Sequence, residues 1–247
     1  MITDPGFYLV GLLAVLLVGI SKSGFGAGFG ALGVPLMALA VPVPQAAAIM
    51  MVPLLVMDGL GLAALLKHRH RGLIRLLLPA GLLGTVIGTL LFGVLSSKMV
   101  AGVVGVMALV FLAIRVFFPP RPDAPPPPRW LGWVLGTVSG CTSFLAHAGG
   151  PPIGFYVVPM KLPPLTFTAT MAVFFAVINL SKWIPYAWLG LIDTRNMLTS
   201  LALLPMAPLG VWIGVRFAKR VPQKLFYRLF NVGMLLTGIK LLSDALA

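Results

Sequence analysis

Ser21-Lys22-Ser23-Gly24-Phe25-Gly26-Ala27-Gly28-Phe29-Gly30-Ala31-Leu32-Gly33 interrupts the first apolar stretch of the chain. Ser139-Gly140-Cys141-Thr142-Ser143-Phe144-Leu145-Ala146-His147-Ala148-Gly149-Gly150-Pro151-Pro152 interrupts the fifth. These two stretches run over residues 6–40 and 130–160, too long for one straight membrane span and short for two complete ones. Each Gly weakens a helix by about 1 kcal/mol relative to Ala, so the clusters read as breaks. Each stretch is therefore either one long bent helix or a re-entrant hairpin of two half-helices.

The surroundings make the membrane the only consistent setting. Of 247 residues, 59% are apolar and 9% charged, and 18 Lys and Arg stand against five Asp and no Glu, a net charge of +13. A soluble enzyme needs far more surface charge, and a disordered chain has far fewer apolar residues. Basic residues between spans fix orientation in a bilayer, which accounts for the excess without nucleic acid. Six further apolar blocks, at 45–66, 72–95, 99–118, 164–190, 196–215 and 225–246, are of spanning length. Cys141 is the one cysteine, so an intramolecular disulfide is excluded. The N-terminus lacks the basic region of a secretory signal and is read as part of the fold.

Pro119 to Arg129 holds seven prolines and separates two sets of four blocks, as a semi-rigid linker outside the membrane. The divisions are a first transmembrane repeat at 1–118, a cytoplasmic linker at 119–129 and a second repeat at 130–247. Pro79, Gly84, Gly88 and Lys98 recur as Pro205, Gly210, Gly214 and Lys224, all 126 positions later. Such duplication is common among secondary transporters.

Charge separates the two readings of the broken blocks. Eight simple crossings divide the loop cations eight against seven. Two hairpins that return to the side they entered leave three crossings per half and invert the second half. Thirteen cations then share one side, leaving Lys98 and Arg195 on the other, as the positive-inside rule expects. The expected fold is an all-α polytopic membrane protein of two inverted repeats, each a broken first block plus three transmembrane helices, with both termini outside the cytoplasm.

Non-helical backbone at membrane depth is tolerated where it lines a cavity, and helix N-termini there form an anion site. The candidate substrate-binding residues are Ser21, Lys22, Ser23, Gly24, Gly26, Gly28 and Gly30 from the first break. Ser139, Thr142, Ser143, His147, Gly149 and Gly150 come from the second. The same small residues also suit tight helix packing. Lys22 is too deep to reach the interface easily and is the best cation for an anionic substrate. Asp58 is the one acid inside an apolar block and Asn179 its counterpart in the second half, so Asp58, Asn179 and Lys182 are the coupling candidates. Lys182, near Trp183, equally fits a lysine extending to the interface. His68 and His70 belong to a solvated basic loop. Nucleotide-binding, zinc-protease and nucleophile-elbow motifs are absent, and no cofactor or metal is expected.

The run Gly24 to Pro35, with its second copy ending Ala148-Gly149-Gly150-Pro151-Pro152, resembles the TauE/SafE sulfite exporter family of anion permeases. The resemblance spans almost the whole chain, though Cys141 to His147 stands where a more glycine-rich run is expected. It implies transport of sulfite, sulfonates or related small organic anions across a bacterial inner membrane. The expected function is a proton-coupled secondary transporter with the anion at the hairpin tips near the midplane. Its partners are the small anion, the lipid bilayer, protons and, as an open possibility, further copies of itself. An anion channel and a non-transporting membrane assembly or receptor subunit remain the alternatives.

Overall fold

The computed structural model describes residues 1–24, 29–118, 125–217 and 223–246. Among them the chain is helical: α1 (Pro5–Gly24), α2 (Gly33–Met37), α3 (Val43–Leu65), α4 (Arg71–Val94), α5 (Ser97–Phe117), α6 (Arg129–Ala146), α7 (Gly150–Val157), α8 (Pro164–Ser181), α9 (Trp183–Trp188), α10 (Thr194–Leu203), α11 (Met206–Phe217) and α12 (Gln223–Leu246). Six segments among the described residues are long and apolar enough to cross a membrane, as a polytopic protein requires. The boundaries have local causes. Ser96 caps α5 by accepting from Met99 N, Asp193 caps α10 from Asn196 N, and His70 Nδ1 caps α4 from Leu73 N.

Both broken stretches fold back on themselves. Gly33 packs against Val18, and Met37 reaches Gly11, so α2 runs back along α1. Gly149 lies against Ser139 and Ser143, and Tyr156 against Gly132, so α7 runs back along α6. His147 adopts a left-handed conformation (φ 52°) at the second reversal. The arms are unequal, which differs from paired half-helices. The outgoing helices have 20 and 18 residues and the returning ones 5 and 8. Pro35 near the start of α2 and Pro151-Pro152 at the start of α7 occupy first-turn positions, where a missing N–H costs little.

The strongest packing joins α4 to α6, α1 to α11, α5 to α12 and α3 to α8, and each pair takes one member from either side of the linker. The closest approaches give the directions. Gly84 faces the backbone of Thr137 and Cys141, and Gly88 faces Phe144, so α4 and α6 run parallel. Leu203 meets Gly11, and Gly210 lies against Leu16, Gly19 and Ile20, so α1 and α11 also run parallel. Gly102 meets Ala245 and Gly105 meets Leu242 and Gly238, so α5 and α12 run antiparallel. Asp58 meets Asn179 and Gly61 meets Ala172, so α3 and α8 run antiparallel. The contacts recur in register. Leu16 to Thr137 and Ile20 to Cys141 are steps of 121 residues, and Gly84 to Gly210 is one of 126, so both glycines meet equivalent backbone.

These seams leave no room for a side chain. A Cβ on Gly84 would sit 1.9 Å from Thr137 O, and one on Gly140 would sit 1.9 Å from Gly81 O. Gly59, also helical, has nothing within 4 Å of that position. Gly84→Ala or Gly140→Ala is expected to destabilise the protein by about 1–3 kcal/mol through overpacking, and Gly59→Ala to be neutral or stabilising by up to about 1 kcal/mol. Thermal unfolding in detergent would measure the contrast.

Candidate functional site

The end of α1, the second hairpin reversal and the α3–α8 crossing meet at one polar cluster. Asp58 lies on α3, 4% exposed, and uses both carboxylate oxygens: Lys22 Nζ donates to Oδ1, and Asn179 Nδ2 donates to Oδ2 at 2.6 Å. Lys182, fully buried just beyond the end of α8, faces Ser143 O at 2.7 Å, Ser143 Oγ at 2.8 Å, Asn179 Oδ1 at 2.8 Å and His147 Nδ1 at 3.0 Å. With Nδ1 accepting from Lys182, the remaining His147 hydrogen sits on Nε2 and is donated to Ala47 O at 3.0 Å. The result is one connected chain from Lys22 through Asp58, Asn179 and Lys182 to His147. Ser21 Oγ, buried beside it, has no hydrogen-bond partner among the described residues.

A cavity of about 840 Å³ ends on this cluster, reached by Ser21, Lys22, Asp58, Ser143, His147, Gly150 and Asn179. Its walls are apolar, with Leu54, Met57, Met171, Phe175, Val211 and Val215 among them. Exposed Leu60, Ala64, Pro164 and Leu165 lie at its mouth, beside the basic residues Lys67, Arg69, Arg71 and Lys161. Among the described residues the opposite end is closed. Ser200 Oγ donates to Ile49 O, Gln45 Nε2 to Asn196 Oδ1 at 3.0 Å, and Tyr186 Oη to Phe144 O at 2.6 Å. Phe92, Phe144 and Tyr186 pack there with ring centroids 5.0–6.3 Å apart.

The expected site residues separate into groups. Ser21, Lys22, Ser143, His147, Gly150, Asp58 and Asn179 line the cavity. Ser139, Thr142 and Gly149 instead close the second reversal. Ser139 Oγ donates to Gly149 O at 2.6 Å, and Thr142 Oγ1 faces Ser139 O and Ala148 O, each at 3.2 Å. Lys182 lies behind the cavity wall and does not reach an interface, so the snorkelling reading does not hold. Gly24 ends α1, next to Ser23, and Gly30 lies in the short helical turn at Phe29–Leu32. Gly26 and Gly28 lie outside the described residues. His70, expected in a solvated loop, also caps α4. Sequence reasoning missed the wall residues and Tyr186, because an apolar side chain facing a cavity has the same pattern as one facing lipid or core.

The arrangement offers an ammonium and hydroxyls to an anion, with a carboxylate already neutralising the nearer lysine. Among the described residues no cluster of His, Cys, Asp and Glu could hold a metal ion. Lys22→Met would leave the buried Asp58 with only Asn179, and should lower stability by about 2–4 kcal/mol. Lys22 keeps 21% of its side-chain surface exposed, so the lower end is expected. Lys22→Met combined with Asp58→Asn should recover most of the loss in the same thermal measurement.

Searches among curated proteins and among solved structures return no match. A family model described as sulfite exporter TauE/SafE matches residues 11–241. The chain therefore belongs to the TauE/SafE sulfite exporter family, and is a multi-pass membrane protein of an anion-transporting family.

Proposed function

We propose that the chain is a secondary transporter carrying sulfite, sulfonates or related small organic anions across a bacterial inner membrane, coupled to protons. The observation that carries this reading is the cavity closed at one end among the described residues and ending on Lys22, Asp58 and a Ser21 hydroxyl that has no hydrogen-bond partner among them. A closed far side is what alternating access requires and what a conducting pore lacks. The basic residues around the mouth draw anions toward it.

The halves at 1–118 and 130–247 are inverted repeats joined by the linker. Eight simple crossings would make α3 parallel to α8 and α5 parallel to α12. Inverted halves with hairpins make both pairs antiparallel and keep α1–α11 and α4–α6 parallel, the observed directions. With both termini outside, the cavity mouth beside Lys67 to Arg71 faces the cytoplasm. In this reading an anion displaces Asp58 from Lys22, and a proton taken up by the freed carboxylate removes the repulsion between two negative groups in an apolar cavity. That exchange couples the two fluxes.

In proteoliposomes, Lys22→Ala should reduce anion uptake at least tenfold in folded protein, and unchanged flux would remove Lys22 from the mechanism. Asp58→Asn should abolish uptake driven by a pH gradient while anion exchange persists; uptake still driven by the gradient would exclude Asp58 as the proton carrier. A C-terminal reporter active only outside the cytoplasm should be active, and an inactive one would refute the proposed orientation.

A further inference from the structure

Lys182 is the charge this mechanism leaves unused. It is fully buried, and among the described residues no carboxylate lies within ion-pair distance of it. A cation inside an apolar slab is expensive, and four neutral neighbours offset only part of that cost.

The register of the two halves gives it a place. Asp58 and Asn179 are 121 residues apart and touch where α3 crosses α8. The same step carries Lys22 to Ser143, and carries Gly61 to Lys182. Lys22 reaches from the first hairpin to Asp58 on α3, whereas Lys182 reaches from the end of α8 to Ser143 on the second hairpin. Each half thus bridges its hairpin to its next helix through one lysine, with the lysine's origin exchanged.

The step also maps the open cavity onto the closed seam. Ser21 and Val18, which line the cavity, correspond to Thr142 and Ser139. Thr168 and Ala172 correspond to Ala47 and Met51, and Leu65 corresponds to Tyr186. The counterparts are all packed away: Ala47, Ser139, Lys182 and Tyr186 are 0% exposed, Met51 is 1% and Thr142 is 6%.

We infer that Lys182 is the anion-binding lysine of the opposite-facing state, in a second cavity formed when the seam of Ala47, Met51, Ser139, Thr142 and Tyr186 opens. The site takes the same class of ligand, a small sulfonate or related oxyanion, held by the Lys182 ammonium and the Ser139, Thr142 and Ser143 hydroxyls once the hairpin reversal releases them. Lys22 serves the cavity open in this structure and Lys182 serves its counterpart. The inference rests on the alternating-access reading above.

Cysteine labelling in oriented vesicles tests it. Cys141→Ser provides a cysteine-free background, on which Met51→Cys and its counterpart Ala172→Cys are made singly. A cationic, membrane-impermeant thiol reagent is applied from either face, with ethanesulfonate as the protecting anion. Ala172→Cys should label from the face carrying Lys67 to Arg71, and Met51→Cys only from the other face. Ethanesulfonate at about four times its Kd should slow both reactions about fivefold. Adding Lys182→Ala should abolish protection of Met51→Cys and leave that of Ala172→Cys, and Lys182→Arg should restore the lost protection. Met51→Cys unreactive from the opposite face, reactive from the same face as Ala172→Cys, or protected without Lys182 overturns the inference. The first two readouts need no change at Lys182 and so do not depend on how that variant folds. Ethanesulfonate flux by the Cys141→Ser protein is measured first. Its absence defeats the transport reading and this inference with it, whereas flux with any overturning result defeats this inference alone.

Discussion

Asp58 cannot be left alone where it is. A carboxylate 4% exposed inside an apolar bundle must be neutralised by charge and saturated by hydrogen bonds. Lys22 supplies the charge to one oxygen and Asn179 a hydrogen bond to the other, which ties the first hairpin, α3 and α8 to one point. Asn179 then has its carbonyl free for Lys182, and Lys182 fixes the second hairpin through Ser143 and His147. Four elements, two from either side of positions 119–129, are thus held by a single polar chain, and the closed end of the cavity is where that chain lies.

Much of this was legible in the sequence, because the bilayer leaves few ways to place charge. The broken blocks, their fold-back and the choice of Lys22, Asp58 and Asn179 as polar candidates follow from hydropathy, glycine and the positions of rare polar residues, whereas the contact between Asp58 and Asn179 does not. Lys182 was only half legible. Its neighbours Trp183 and Trp188 carry the pattern of an interfacial belt, and nothing in one dimension says that Ser143 and His147 approach from 39 and 35 residues away. The unequal hairpin arms were not legible either. Glycine marks where a helix weakens, but the lengths on either side depend on what each arm packs against.

The cavity wall is the part that sequence reading could not reach. Phe175, Met171 and Val215 face the cavity, whereas Trp212 and Leu236 are exposed on the outer surface, and all five are plain apolar helix residues. In a membrane protein lipid, core and cavity wall draw on the same amino acids, so only packing distinguishes them. The polar end is therefore predictable by chemistry, and the apolar remainder, which limits the shape of what can enter, is not.

The glycine seams make the two sides of the chain depend on each other. Gly210 of the second half lies on the backbone of α1, and Gly84 of the first half on the backbone of α6. Each half therefore lends its hairpin to the other's third block, and neither hairpin is chiefly clasped by its own. A half made alone would present a bare glycine groove with no helix in it. Only the helices from the other side of positions 119–129 fill that groove, so neither set of helices can bury its own glycine faces without the other.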